Sequence, residues 1–237
     1  MTFSEKVVLV AGGTGGLGRA VTLSFLEQGA RVIVTHRKRE EFASLQRESA
    51  PDGSSLSGHE VDVTAEASVD QLIKQVLATH GRLDSLVNTV GGYSGGQKFW
   101  DTELATFDRM LSINLRSTLL LARAAVPVML GQQQGAIVNV LAKAALDHSA
   151  GLAAYAASKA SALALTNSLA EDLRGSGVRV NSILPSIIDT DMNRQAMPNA
   201  DFSKWPKPQD IAQVILFLCS DAARVIHGAA IPVYGGA

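Results

Sequence analysis

Short, continuously apolar runs alternate with stretches of helix-like spacing along the whole chain. Val7-Val8-Leu9-Val10-Ala11 is a β-branched run that ends in glycines. From Gly16 to Gln28, residues Leu17, Ala20, Val21, Ser24 and Phe25 fall on one face of a helix, which Gly29 ends. The run 31–35 predicts a second strand, and the charged stretch 38–48 a second helix. The alternation continues with a strand over 58–63, a helix over 65–80 and a strand over 83–90. A long helix is predicted from about 104 to 130, with Pro127 kinking or closing its last turn. A strand over 136–141, a small-residue helix over 153–173 stopped by Gly175, and a strand over 178–184 follow. A helix over 208–220 and a strand over 230–234 complete the chain.

Strand–helix alternation of this kind predicts βαβ units and a mostly parallel sheet covered on both faces. With seven strands and no linker or repeat, the expected fold is a single-domain, doubly wound α/β Rossmann fold over 1–237. Such a sheet binds a nucleotide at the carboxyl ends of its strands, where the strand order switches. Composition narrows the partners. The 21 basic and 22 acidic residues leave a net charge of −1, which gives no reason to expect nucleic acid or an anionic membrane. Only 18% of the chain is charged and 46% is hydrophobic, which argues for a large core and against disorder. Cys219 stands alone, so no internal disulfide or cysteine-based zinc site is expected, and the scattered histidines predict no metal. No uninterrupted apolar run reaches the roughly 18 residues of a membrane span, and the polar start Met1-Thr2-Phe3-Ser4 lacks a signal-peptide core. A soluble, cytoplasmic protein is the expectation.

The turn Gly12-Gly13-Thr14-Gly15-Gly16-Leu17-Gly18 lies between the first strand and the first helix. Glycines there let the backbone approach a pyrophosphate, and the helix N-terminus offers free N–H groups. The context therefore predicts dinucleotide binding. An acidic residue at the end of the second strand would bond the ribose 2′-hydroxyl of NAD. Here the stretch reads His36-Arg37-Lys38-Arg39, with no carboxylate until Glu40. Arg37 can pair with a 2′-phosphate, so NADP(H) is favoured over NAD(H). Asp62 is placed either against the adenine or as the cap of the next helix.

Tyr155 and Lys159 are four apart in a predicted helix and share a face. A lysine ammonium beside a phenol favours the phenolate, which predicts a phenol shifted from about 10 toward neutrality. Together these pieces resemble the short-chain dehydrogenase/reductase family over nearly the whole chain. Gly12, Gly16 and Gly18 match its glycine pattern, and Asn88-Thr89-Val90-Gly91 sits where it has Asn-Asn-Ala-Gly. Asn114 matches its helix asparagine, Tyr155 to Lys159 its Tyr-x-x-x-Lys, and Asn181 to Pro185 with Thr190 its nicotinamide-side loop. The resemblance implies Asn114, Tyr155 and Lys159 as catalytic residues. It implies cofactor contacts from Gly12, Gly16, Leu17, Gly18, Arg37, Asp62, Asn88, Gly91, Tyr155, Lys159, Pro185, Ile188 and Thr190. It also implies a homodimer or homotetramer.

The chain departs from the family at one position. The family's serine, thirteen residues before the tyrosine, is Ala142 here, and alanine cannot donate a hydrogen bond. Lys143 is the neighbour that could reach in, or is a solvated surface lysine. The stretch 142–147, the loop Gly91-Gly92-Tyr93-Ser94-Gly95-Gly96 and the segment 189–205 resemble the quinonoid dihydropteridine reductase branch of the family, which also has alanine in place of the serine. That branch carries an acidic residue where this chain has His36 and Arg37, and lacks the asparagine matching Asn114. The resemblance implies reduction of quinonoid dihydropterin or a similar flat conjugated acceptor. Tyr93, Ala142, Met192, Met197 and Trp205 then line a substrate pocket in the segment around 186–207, with Trp205 and Met197 alternatively packing a lid. Two other readings remain: a carbonyl or 3-oxoacyl reductase that manages without its serine, and a dinucleotide-binding protein with weak catalysis.

Overall fold

A computed structural model of the chain describes residues 1–49, 55–147 and 149–236. Seven strands form one sheet: β1 (Val7–Ala11), β2 (Arg31–His36), β3 (Leu56–Glu60), β4 (Ser85–Asn88), β5 (Gly135–Val140), β6 (Val178–Pro185) and β7 (Ala230–Val233). Their order is β3-β2-β1-β4-β5-β6-β7, and every neighbouring pair is parallel. The order switches at β1, which has β2 on one side and β4 on the other, with Ala11 opposite Asn88. A crevice therefore opens beyond these two residues, at the carboxyl ends of the strands.

Alternate residues of the central strands build two cores. Val8 and Val10 point to the face covered by α1 (Gly16–Glu27) and by the chain's last α-helix, Pro208–Cys219. Val7, Leu9 and Ala11 point to the face covered by α3 (Glu66–His80), by the helix Ser117–Gln132 and by the end of the helix Ala153–Asp172. Burial on both faces is why these strands are apolar without a polar alternation. The remaining helices are α2 (Arg39–Glu48), α4 (Leu104–Met110) and α7 (Asp191–Ala196), which makes the three just described α5, α6 and α8. Cys219 ends α8 in the core shared with α1, and burial pushes its thiol up to about 12.

The structure revises three expectations. The long helix is one continuous run of 29 residues from Leu104 to Gln132, and Pro127 does not close it. Leu120, Leu121, Ala125 and Met129 are buried on both sides of the proline, so packing holds the last turns until Gln133 takes a positive φ. By length and composition this helix could cross a membrane, yet those same residues anchor it in the core. Within it, Leu111–Arg116 forms a π-helical segment that sequence periodicity did not reveal. β3 ends at Glu60, before the predicted limit, because the Asp62 carboxylate accepts from the Thr64 N–H (2.9 Å) and hydroxyl (2.7 Å) and turns the chain. The short helix α7 was not foreseen; the Thr190 hydroxyl accepts from the Asn193 N–H and caps it.

Candidate active site

The glycine turn is shaped by what surrounds it. Gly12 has φ +76°, which glycine adopts without strain. Its N–H donates to the Thr35 hydroxyl at 2.9 Å, tying the turn to β2. A Cβ at Gly18 would strike the Gly12 carbonyl, and one at Gly13 would strike the Val34 side chain. A Cβ at Gly16 would lie 2.8 Å from the Thr190 Cγ2, so Thr190 rests directly on the turn. The α1 N-terminus carries no capping side chain and no acidic residue in its first turn, which leaves its positive end facing the crevice. These features fit a pyrophosphate held by backbone N–H groups.

Two adjoining clefts of about 580 Å³ each run along this crevice. One extends from Gly12 and Gly15 past Thr89, Val90 and Gly91 to Tyr93. The other is bounded by Arg37, Glu60, Asp62, Thr64 and Ser112. His36, Arg37, Arg109 and Ile113 line both. Lys38 pairs with Glu41 and Arg39 with Glu60, whereas Arg37 and Arg109 make no ion pair among the described residues. The Asp62 carboxyl is held below its ordinary range by the Thr64 hydrogen bonds and, to a smaller extent, by the Arg37 charge. It therefore turns the chain into α3 and also borders the cleft. His36 stacks on Phe42 at 5.1 Å, and its buried Nδ1 has no partner among the described residues. Sequence reasoning missed Arg109, which α4 brings in from far along the chain; no local pattern in the sequence marked it.

The family's asparagines hold the far wall. The Asn88 amide donates to the Thr118 hydroxyl at 3.1 Å, and its carbonyl accepts from the Val90 N–H. Asn114, delivered by the π segment, clasps Gly92 in both directions: it accepts from the Gly92 N–H (2.9 Å) and donates to the Gly92 carbonyl (3.1 Å). It also donates to the Ser158 hydroxyl at 2.9 Å, joining α6 to the loop. Lys159 is 5% exposed and donates to the Val140 carbonyl at 3.2 Å. A Cβ at Gly91 would lie 3.0 Å from Lys159 Nζ and 3.1 Å from Asn114 Oδ1. Gly91, Asn114 and Lys159 thus meet at one point.

Tyr155 stands beside them, and the expected shift toward neutrality is not found. Burial, with a smaller contribution from Tyr93, pushes the phenol up to about 12. The buried ammonium of Lys159 is itself lowered to about 8 and is turned to the Val140 carbonyl. At neutral pH the phenol keeps its proton.

The acceptor side is more open. Tyr93 is 67% exposed, and its ring meets that of Tyr155 edge-on at 5.1 Å and 67°. Ala142 follows β5 at 7% exposure and presents only a methyl group. Lys143 sits 5.1 Å over the Tyr234 ring and 4.0 Å from the Asp147 carboxylate, engaged away from Tyr155. In the segment 186–207, Ile188 accepts from the Asn193 amide and Arg194 pairs with Asp189. Pro185 ends β6 at the same edge. Met192 is fully at the surface and Met197 half-buried, while Trp205 is buried against Phe202 and packs the segment to the body. A third cavity, of about 410 Å³, lies at the opposite ends of the strands. There Arg179 donates to the Leu218, Ser220 and Ala223 carbonyls, and His227 bridges Val180 and Ala170. Its polar groups are structural.

The profile of the short chain dehydrogenase family matches residues 6–201. The chain is 31% identical to a 3-oxoacyl-[acyl-carrier-protein] reductase of Thermotoga maritima, covering 100% of this chain and 99% of that one. A short-chain type dehydrogenase/reductase from Mycobacterium ulcerans superposes with a TM-score of 0.94 at 27% identity, over 100% of this chain and 90% of that one. ElxO with NADP bound superposes with a TM-score of 0.92 at 27% identity, over 98% of each chain.

Proposed function

The chain belongs to the short chain dehydrogenase family, and from that membership we propose an NADP(H)-dependent reductase in which Tyr155 donates the proton. It is an oxidoreductase of that family. The observation that carries the proposal is the protonated, half-buried phenol of Tyr155, one helical turn before Lys159, which itself meets Gly91 and Asn114. The reduced nicotinamide supplies the hydride when bound. The chain's own residues do the rest. The turn from Gly12 to Gly18, with Leu17 behind it, Asn88, Gly91, Pro185, Ile188 and Thr190 form the dinucleotide side. Lys159 holds the nicotinamide ribose and balances the phenol as its proton leaves. Asn114 fixes the loop above it. Arg37 and Arg109 support NADP(H), because two guanidinium groups that make no ion pair among the described residues border the adenosine end of the cleft. Asp62 borders it from the turn after β3, and the NADP bound to the similar ElxO supports the same reading.

For the acceptor, Ala142 and the exposed ring of Tyr93 support a flat conjugated molecule such as quinonoid dihydropterin, with Met192 and Met197 at its rim. Hydride addition there spreads charge over several ring atoms and depends less on one oxygen donor. A second reading, a carbonyl or 3-oxoacyl reductase, is favoured by the full-length similarity to the Thermotoga maritima enzyme. Oxidation of NADPH by the purified protein with quinonoid dihydropterin, a small ketone, a 3-oxoacyl thioester and no acceptor decides between them. Pterin turnover with slow ketone turnover supports the first reading. Efficient carbonyl turnover with no pterin activity selects the second, and no turnover with any acceptor overturns the reductase. A homodimer or homotetramer in the cytoplasm is the setting we propose for the enzyme, as one domain acting on a small molecule.

A further inference from the structure

Reduction builds negative charge on the acceptor, concentrated on one oxygen in a carbonyl and spread over several ring atoms in a flat conjugated molecule. A single phenol can give the proton, and a second donor stabilises the charge as it builds, most where one atom carries it. Position 142, two residues beyond the end of β5, is an alanine and has no donor. Lys143 is held by Tyr234 and Asp147, and the Ser186 hydroxyl donates to the Tyr234 carbonyl at 2.7 Å.

Tyr93 is placed differently. Among the described residues it is the one aromatic ring packed on Tyr155. The residue before it, Gly92, is fixed by both hydrogen bonds of the Asn114 clasp, so the loop enters Tyr93 from a set position. Beyond it, a Cβ at Gly95 would lie 2.5 Å from the Tyr93 Oη, so the absent side chain leaves room for the hydroxyl. The loop is thus anchored on one side of Tyr93 and cut back on the other. Charge on Tyr93 raises the Tyr155 pKa, so the two phenols sense each other.

We propose that the Tyr93 hydroxyl is the second hydrogen-bond donor to the reacting atom of the acceptor, replacing the hydroxyl that position 142 lacks. It donates a hydrogen bond and keeps its proton; the transferred proton comes from Tyr155 and the hydride from the reduced cofactor. The proposal rests on the reductase reading above and applies to either acceptor class.

Tyr93→Phe keeps the ring and removes only the hydroxyl. With the acceptor that wild type turns over fastest, kcat should fall about ten- to a thousandfold, with KM and NADPH affinity within about threefold. A ring that serves only as a platform would leave kcat unchanged. Adding Ala142→Ser to Tyr93→Phe should recover at least about tenfold in kcat, because a hydroxyl from another element refills the same role. A packing role would not be rescued in this way. Thermal midpoints of all three proteins within a few degrees show that folding is intact. An unchanged kcat in Tyr93→Phe, or a double variant as slow as the single one, overturns this proposal while an active wild type leaves the reductase standing. A wild type without turnover on any acceptor overturns both.

Discussion

The two sides of the cleft are built in opposite ways. On the dinucleotide side the chain presents backbone: a glycine turn whose Cβ positions are already occupied, and asparagines whose amides clamp other peptide groups. On the acceptor side it presents side chains on exposed backbone, with Tyr93 at 67% and Met192 at 77% exposure. A phosphate needs fixed N–H groups, and only certain residues allow the backbone to supply them. An acceptor is chosen by shape and by a few donors, which many side chains can provide. The first side therefore identifies a cofactor class, and the second decides chemistry within it.

The seam between the two sides gives the largest expected effect. Tyr155→Phe should lower turnover about a hundred- to ten-thousandfold, the usual worth of a positioned proton donor, while NADPH binding measured by fluorescence stays the same. Lys159→Ala should lose both, since the lysine faces both sides. Equal loss of NADPH binding in Tyr155→Phe would mean that the two sides do not separate at this residue.

Next in size is a pH effect on stability. The Lys159 ammonium is lowered to about 8 in the fold against an ordinary 10.5, so below pH 8 the fold carries the cost of a buried charge. That cost is relieved as pH rises from 8 to 10.5, on the order of 3 kcal/mol when complete. Tyr155 acts with the opposite sign: raised to about 12, it holds its proton where the unfolded chain loses one, and stability falls above about pH 10. Urea unfolding of wild type and Lys159→Met across pH 7 to 10 should show wild type gaining on the variant as pH rises. Parallel curves would place the ammonium in contact with water.

Arg37→Ala should have the smallest effect, about 1–3 kcal/mol on NADPH binding and little on NADH. Titration of both cofactors against both proteins reads it. A variant that keeps its full preference for NADPH would shift the adenosine-end recognition to Arg109.

The sheet and the glycine turn were legible because they rest on strong local rules: continuous apolar strands, glycine after the first strand, and a tyrosine and lysine one turn apart. What escaped depends on distant partners. The π segment at Leu111–Arg116 shows no period of its own, yet it aims Asn114 at Gly92. Pro127 reads as a helix end, but the burial of Met129 beyond it prevails. Arg109 joins the cleft only through the tertiary position of α4. The direction of the Tyr155 shift was misjudged because helix spacing brings a lysine to the same face without saying that burial would reach both groups. Asn181 was read with the nicotinamide loop; its amide instead bonds Ile226 and Ala229, at the entry to β7.

Cys219, at the end of α8 on the wall of the third cavity with its thiol raised to about 12, gives the molecule a built-in clock. A thiol reagent at neutral pH finds almost no thiolate while the helices are closed. Labelling quickens when α8 lifts and the thiol meets water, so its rate reports the openings of that layer. A bound dinucleotide that grips Thr190, a short connection upstream of α8, should slow that count without touching the sulfur.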